Sequence, residues 1–230
     1  MSSLRKAHER GKSETAWLTS HHSFSFANYY DPKYLHFSHL RVINEDMIAP
    51  KSGFPLHPHQ NMEILTYVRQ GRVAHQDSMG NQTQVQAGEF QIMSAGTGIY
   101  HAEFNPSDNE PLHLYQIWIL PQQKNITPRY EQGQFADQVG GTLILSPQPQ
   151  GQALQVYQDM QLWRYQYPAN HAPVRLELNA KRRYWLQMIK GELHHTELRL
   201  NAGDGLAIRQ QSHLALTPLS DCEFLLFDLL

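Results

Sequence analysis

The chain of 230 residues holds one cysteine, Cys222, so no disulfide can form within it, and the sequence reads as built for a reducing compartment. Long apolar runs are missing. No stretch approaches the roughly 20 apolar residues that span a bilayer. The opening residues Met1-Ser2-Ser3-Leu4-Arg5-Lys6 lead into polar sequence, not into the apolar run of a secretory leader. The expectation is a cytoplasmic protein with no membrane partner. Excess basic charge is missing too. The net charge is −2, and the one local basic run, Lys181-Arg182-Arg183, reads as a solvated strand end. This argues against nucleic acid as a direct partner. No long segment shows helical periodicity. Several enzyme motifs are absent as well. Gly96-Thr97-Gly98 begins like a dinucleotide fingerprint but lacks the third glycine and a following helical pattern. There is no P-loop, no Gly-x-Ser-x-Gly and no Cys-x-x-Cys.

What the chain does have is a series of short apolar runs closed by Gly, Pro and Asn. They include Leu40–Ile43, Ile64–Val68, Phe90–Met93, Leu114–Ile119, Leu143–Leu145, Tyr184–Ile189 and Phe224–Phe227. Their length and their β-branched and aromatic content predict strands, hence an all-β protein of barrel or sandwich type. Hydrophobic residues make up 40% of the chain, enough for a packed core. The pattern also repeats. Residues 63–71 lie on residues 183–191, each an eight-residue strand closed by glycine, and Ala87-Gly88-Glu89 matches Ala202-Gly203-Asp204. Two barrels on one plan are expected. The expected division is residues 1–135 and 136–230, joined through Pro121 to Asp137. Pro147–Gly151 reads as a loop inside the second half.

Fourteen histidines are many for this length. Two stand as His57-Pro58-His59, and a third as His101-Ala102-Glu103. On a strand, residues i and i+2 share a face. Two such pairs on facing strands would bring three nitrogens and one carboxylate to one point, a donor set suited to Fe, Mn, Ni, Co, Cu or Zn. His194 and His195 are adjacent, so on a strand they face opposite ways, and His213 stands alone. His36, His39, His75 and His113 read as surface or structural residues. Phe24, Phe26, Phe54, Met62, Met93 and Tyr115 are candidates for an apolar substrate pocket near the metal, against the plainer reading of barrel core.

The surroundings of the two pairs carry a resemblance. Gly53, His57, His59, Glu63 and Gly71 resemble the first motif of the cupin superfamily; Gly88, Gly96, His101 and Asn105 resemble the second. Three departures stand out. Gly53 lies close to the first histidine, Ser94 occupies a position where proline is common, and two extra residues precede His101. These departures are similar to those of the pirin family. Its hallmarks are matched by residues 22–32, from His22-Ser23-Phe24-Ser25-Phe26 to Asp31-Pro32, and by residues 93–103, from Met93-Ser94-Ala95-Gly96 to His101-Ala102-Glu103. The match is close over residues 4 to 131 and looser beyond.

The resemblance implies a bicupin with metal only in the N-terminal barrel, held by His57, His59, His101 and Glu103. In most cupins the residue at the position of Glu63 is a ligand. In pirins that role passes to the position of Glu103, which leaves Glu63 as a second-layer or structural candidate. The implied metal is one divalent ion per chain, Fe(II) first. Bacterial relatives of this type cleave the central ring of flavonols such as quercetin with O₂ and release CO. Glu103 is then the expected proton acceptor, and a flavonol and O₂ are the expected partners of a monomer. Two other readings stand beside this one: a metal-dependent regulatory or binding protein, and another oxygenase or an isomerase on the same site. Fold alone does not choose among them.

Overall fold

The structure is a computed structural model and describes residues 2–230. The chain forms two compact units. The first comprises residues 11–135 and 147–158. The second comprises the described residues up to Arg10 together with residues 136–146 and 159–230. Neither unit is therefore one contiguous stretch: beside the expected division at 135/136, the described residues up to Arg10 lie with the second unit and residues 147–158 with the first.

The first strand, β1 (Ser2–Arg5), pairs with β20 of the second unit. The first unit's strands are β2 (Gly11–Glu14), β3 (Leu18–His22), β4 (Leu40–Ile48), β5 (Gly53–His59), β6 (Glu63–Gln70) and β7 (Arg72–Asp77). They continue with β8 (Gln82–Gln86), β9 (Glu89–Ser94), β10 (Ile99–Phe104), β11 (Leu112–Ile119) and β12 (Arg129–Gln134). A larger sheet runs β12-β9-β6-β11-β4-β3-β2 and a smaller one β5-β10-β7-β8. The stretch expected to be a join thus contains a strand: β12 pairs along β9, from Arg129 opposite Ser94 to Gln134 opposite Glu89.

Alternation explains the core. Leu114 and Ile48 point to the interior with Val68, Val73, Val85 and Leu112, all fully buried. Each such side chain contributes about 1.5–3 kcal/mol by leaving water. A second cluster gathers Ile64, Met93, Ala95 and Ile99. The short β14 (Leu154–Gln155) and its flanks dock on this unit: Gln122 N–H donates to Tyr157 O at 2.8 Å, and the Gln158 amide to Leu120 O at 2.6 Å. The loop Pro147–Gly151 accordingly belongs to the first unit.

The second unit repeats the plan with β13 (Gly140–Ser146), β15 (Met160–Tyr167), β16 (Val174–Glu177), β17 (Arg183–Lys190) and β18 (Glu192–His195). Its remaining strands are β19 (Leu198–Asn201), β20 (Gly205–Arg209), β21 (His213–Pro218) and β22 (Cys222–Leu229). Its larger sheet runs β1-β20-β17-β22-β15-β13 and its smaller one β16-β21-β18-β19. The strands matched by the internal repeat, β6 with β17 and β9 with β20, hold equivalent places. Gly71 and Gly191, which end β6 and β17, share a left-handed φ of 76° and 73°. The N-terminus is held in this unit because Ala7 N–H and the Lys6 ammonium both donate to the buried Asp204 carboxylate, at 2.7 and 3.1 Å. The core is leucine-rich, with Leu186, Leu193, Leu200, Leu206, Leu214 and Leu216 in one cluster. Among the described residues no helix is long and apolar enough to cross a membrane.

Candidate metal centre

His57 and His59 lie on β5, and His101 and Glu103 on β10. The two strands are neighbours in the smaller sheet, not facing strands as expected, and His57 stands directly opposite His101. The ladder shifts register between His101 and Glu103, where a bulge brings Glu103 opposite Phe54. Gly53 makes the close approach possible: a Cβ there would lie 2.2 Å from the Glu103 carbonyl oxygen. Gly96, in the turn before β10, has φ 47°, and a Cβ there would meet the Ile126 carbonyl at 2.0 Å.

The three imidazoles converge. His57 Nε2 and His101 Nε2 are 3.0 Å apart, and the His59 ring lies 4.8 and 4.9 Å from the other two, centre to centre. His57 Nδ1 sits 2.7 Å from the Pro55 carbonyl, which only accepts, so Nδ1 carries a proton and Nε2 is the nitrogen turned toward His101. Burial drives the His59 ring down to about 4, helped by the nearby His57. Burial likewise drives His101 down to about 2, helped by His57 and His59. Neutral imidazoles with facing lone pairs are what a cation requires. A 3.0 Å separation is also about that of two nitrogens bound at right angles at ~2.1 Å. The donor set fits a divalent metal ion.

Glu103 is placed differently. His57, His59 and His101 form one group of donor atoms within 4.8 Å of one another, whereas Glu103 falls in a second such group with His101 and His75. The Glu103 carboxyl is fully enclosed and receives three donors. Thr66 Oγ1 lies at 3.0 Å and Gln91 Nε2 at 2.6 Å, and Gln116 Nε2 donates to the other oxygen. Burial nevertheless pushes this carboxyl up to about 7, against the hydrogen bond from Thr66 and with the help of nearby Asp46. His75 is buried, not superficial. Its Nε2 lies 3.0 Å from Asp77, and burial lowers its pKa against that carboxylate. His75 and Asp77 are an i, i+2 pair of ligand types that the sequence reading passed over. Thr66, Gln91 and Gln116 had a signal as well. Thr66 stands at the interior parity between Ile64 and Val68, and Gln116 between Leu114 and Trp118.

Glu63 is not beside this centre. It lies on the opposite face of β6 from Thr66, where it accepts from Ser94 Oγ at 2.8 Å and Tyr157 N–H at 3.3 Å. It fastens the 147–158 segment and supports no donor, contrary to its second-layer candidacy.

A cavity of about 440 Å³ opens beside His57 and His59. Leu18, Phe26, Phe54 and Trp118 form its apolar wall, and Ser20, His22, Asn44 and Asp46 its polar one. Of the pocket residues expected from sequence, Phe26 and Phe54 are there, and Phe24 is not. Met62 and Met93 are not: they pack with Ile64, Ala95 and Ile99. Tyr115 is not there either, because strand alternation turns it away from the face that Gln116 and Trp118 present to the cavity. The edge of Trp118 meets His59 with ring centres 4.9 Å apart. His22 is held from both sides, Nε2 by Ser13 Oγ and Nδ1 by Asn44 Oδ1, each at 2.8 Å.

The pirin family model matches residues 3–119, and the model of the quercetinase C-terminal cupin domain matches residues 143–229. The Escherichia coli K12 protein named quercetin 2,3-dioxygenase is 54% identical over 226 residues, covering 98% of this chain and 97% of its own. A Pasteurella multocida protein given the same name provisionally is 58% identical over 229 residues, 98% of each chain. The crystal structure of the bacterial pirin YhhW of Escherichia coli in complex with nickel(II) superposes with a TM-score of 0.96 at 53% identity, over 100% of this chain and 99% of that one. With these matches over both units and the histidine cluster in the first, the chain belongs to the pirin family and carries two cupin-type units.

Proposed function

We propose that this protein is a metal-dependent dioxygenase that opens the central ring of flavonols such as quercetin with O₂ and releases CO. The observation that carries the reading is the convergence of three imidazoles, with a buried carboxyl behind them, at the wall of a cavity lined by aromatic rings. The names of the close relatives support it. His57, His59, His101 and Glu103 are the proposed ligands, with Fe(II) as the metal. The nickel complex of a relative makes Ni(II) the first alternative to compare. Bound there, a divalent metal supplies Lewis acidity that lowers the pKa of a hydroxyl held against it.

The chain's own residues supply the rest. Phe54 and Trp118 present ring faces and edges that hold a flat aromatic substrate and keep water out. Glu103 takes the proton of the flavonol 3-hydroxyl onto a carboxylate oxygen. Gln91, Gln116 and Thr66 hold the carboxyl in place during the exchange.

The test is O₂ uptake on adding quercetin to protein reconstituted anaerobically with Fe(II), and in parallel with Ni, Mn, Co and Cu. The variant His57→Ala/His59→Ala runs beside it. Uptake matching flavonol loss, absent in the variant, is the expected result. Flavonol cleavage that persists in a variant without metal would sink the proposal.

A further inference from the structure

The cavity has one feature that metal chemistry does not use. Asp46 lies on β4, in the larger sheet, while His57 and His59 reach the same cavity from the smaller one. The residue is 2% exposed. Among the described residues its one side-chain hydrogen bond comes from Ser20, and Oδ1 has no partner. A carboxyl group has up to four acceptor sites, or a donor and remaining acceptors when protonated. Leaving such a group buried and unmatched is costly, and native folds rarely do so without reason. Asp46 faces Leu114 across the β4–β11 ladder, and the next inward residue toward the end of β4 is Ile48, so the acid borders core residues on these two sides. Burial also pushes this carboxyl up to about 7, so near neutrality it is available both as donor and as acceptor.

Its neighbours are fixed. The Ser13–His22–Asn44 chain of hydrogen bonds locks Asn44 at the cavity wall. The polar residues therefore form a rigid patch at one side of an otherwise apolar space. That is the usual construction of a site that orients a ligand through a few placed polar groups.

We propose that Asp46, with Ser20 and Asn44 beside it, is a binding subsite that hydrogen-bonds a phenolic hydroxyl of an aromatic ligand whose reacting end lies at the histidines. The ligand class is thereby narrowed to aromatics that carry a hydroxyl remote from the reacting one. The choice of flavonols as probes rests on the proposed function; the subsite rests on Asp46 itself.

The experiment is a direct binding titration by quenching of tryptophan fluorescence, on the metal-loaded full chain kept free of O₂. The probes are quercetin, with hydroxyls on both outer rings, and 3-hydroxyflavone, with none. The wild type is expected to prefer quercetin by about tenfold in Kd, the size of one well-made hydrogen bond to a buried partner. Asp46→Ala is expected to erase most of that preference while leaving the affinity for 3-hydroxyflavone within about threefold. Asp46→Asn, which can still hydrogen-bond, is expected to keep most of it. Asp46→Leu fills the volume and gives the same readout should the alanine variant fail to fold. An unchanged preference in the Ala and Leu variants overturns the subsite, whatever the turnover. A preference lost in those variants, in a protein that consumes no O₂ with quercetin, leaves the subsite standing and removes the dioxygenase reading. Failure of the wild type to bind either flavonol overturns both.

Discussion

The two units share one strand plan and differ in what fills it. In the first, Gln91, Thr66, Gln116 and Asn44 form a row across β9, β6, β11 and β4. In the second, the row at the same register reads Leu206, Leu186, Leu226 and Trp163 across β20, β17, β22 and β15. Gln91, Thr66 and Gln116 of the polar row hold the Glu103 carboxyl, and Asn44 holds His22; the apolar row closes a leucine core. The smaller sheets diverge in the same way. His57 faces His101 in one, whereas in the other Leu176 faces Leu214, and Glu177 faces a half-exposed His213. One scaffold thus supports a buried polar centre or a plain core. The choice lies in about eight interior side chains, because a buried polar group survives only where every neighbour in its row is chosen to match it.

His101→Leu carries the second unit's chemistry into the first and is expected to reduce metal content from one ion per chain to none, as measured by elemental analysis after reconstitution. His213→Leu in the second unit is expected to leave metal content unchanged; a loss there would mean that the second unit also holds metal. The reverse exchange comes next. Leu226→Gln puts an unmatched amide into the leucine row and is expected to cost about 2–4 kcal/mol in chemical denaturation.

Gln116→Leu removes one donor from Glu103. It should cost about 1–3 kcal/mol of stability and weaken metal binding by about 10–100-fold in a competition titration with a chelator. Unaltered metal affinity would show that the polar row only fills space.

The smallest effect sharpens the account of Asp46. Burial raises its folded-state pKa to about 7, above the ~3.9 of an unfolded chain. The native state therefore keeps this proton where the unfolded state has lost it. The associated stability is fully present below about 4 and disappears as pH rises through 7. Asp46→Asn stays neutral throughout. In thermal unfolding of metal-free protein, its gain over the wild type is expected to be a few degrees larger at pH 8 than at pH 5. Equal gains at both values would mean that the carboxyl is not held neutral by the fold.

The local features are legible in the chain's residue order. Short β-branched runs between turns are strands wherever they pack, so the all-β class and the repeat at residues 63–71 and 183–191 were legible. The i, i+2 spacing put His57 with His59, and His101 with Glu103, on one face each, because the strand period allows nothing else. Which strands become neighbours is set by long-range pairing in the folded chain, and everything that depends on neighbours follows from that pairing. β5 pairs with β10 in one sheet, so His57 meets His101 edge to edge and Glu103 slips past a bulge toward His75. Glu63 and Tyr115 stand at strand positions whose parity turns them away from the site, a fact hidden until the inward face of each strand is known. β1 crosses to the second unit because its backbone groups find their partners on β20, and hydrogen-bond pairing between distant strands leaves no trace in composition or spacing.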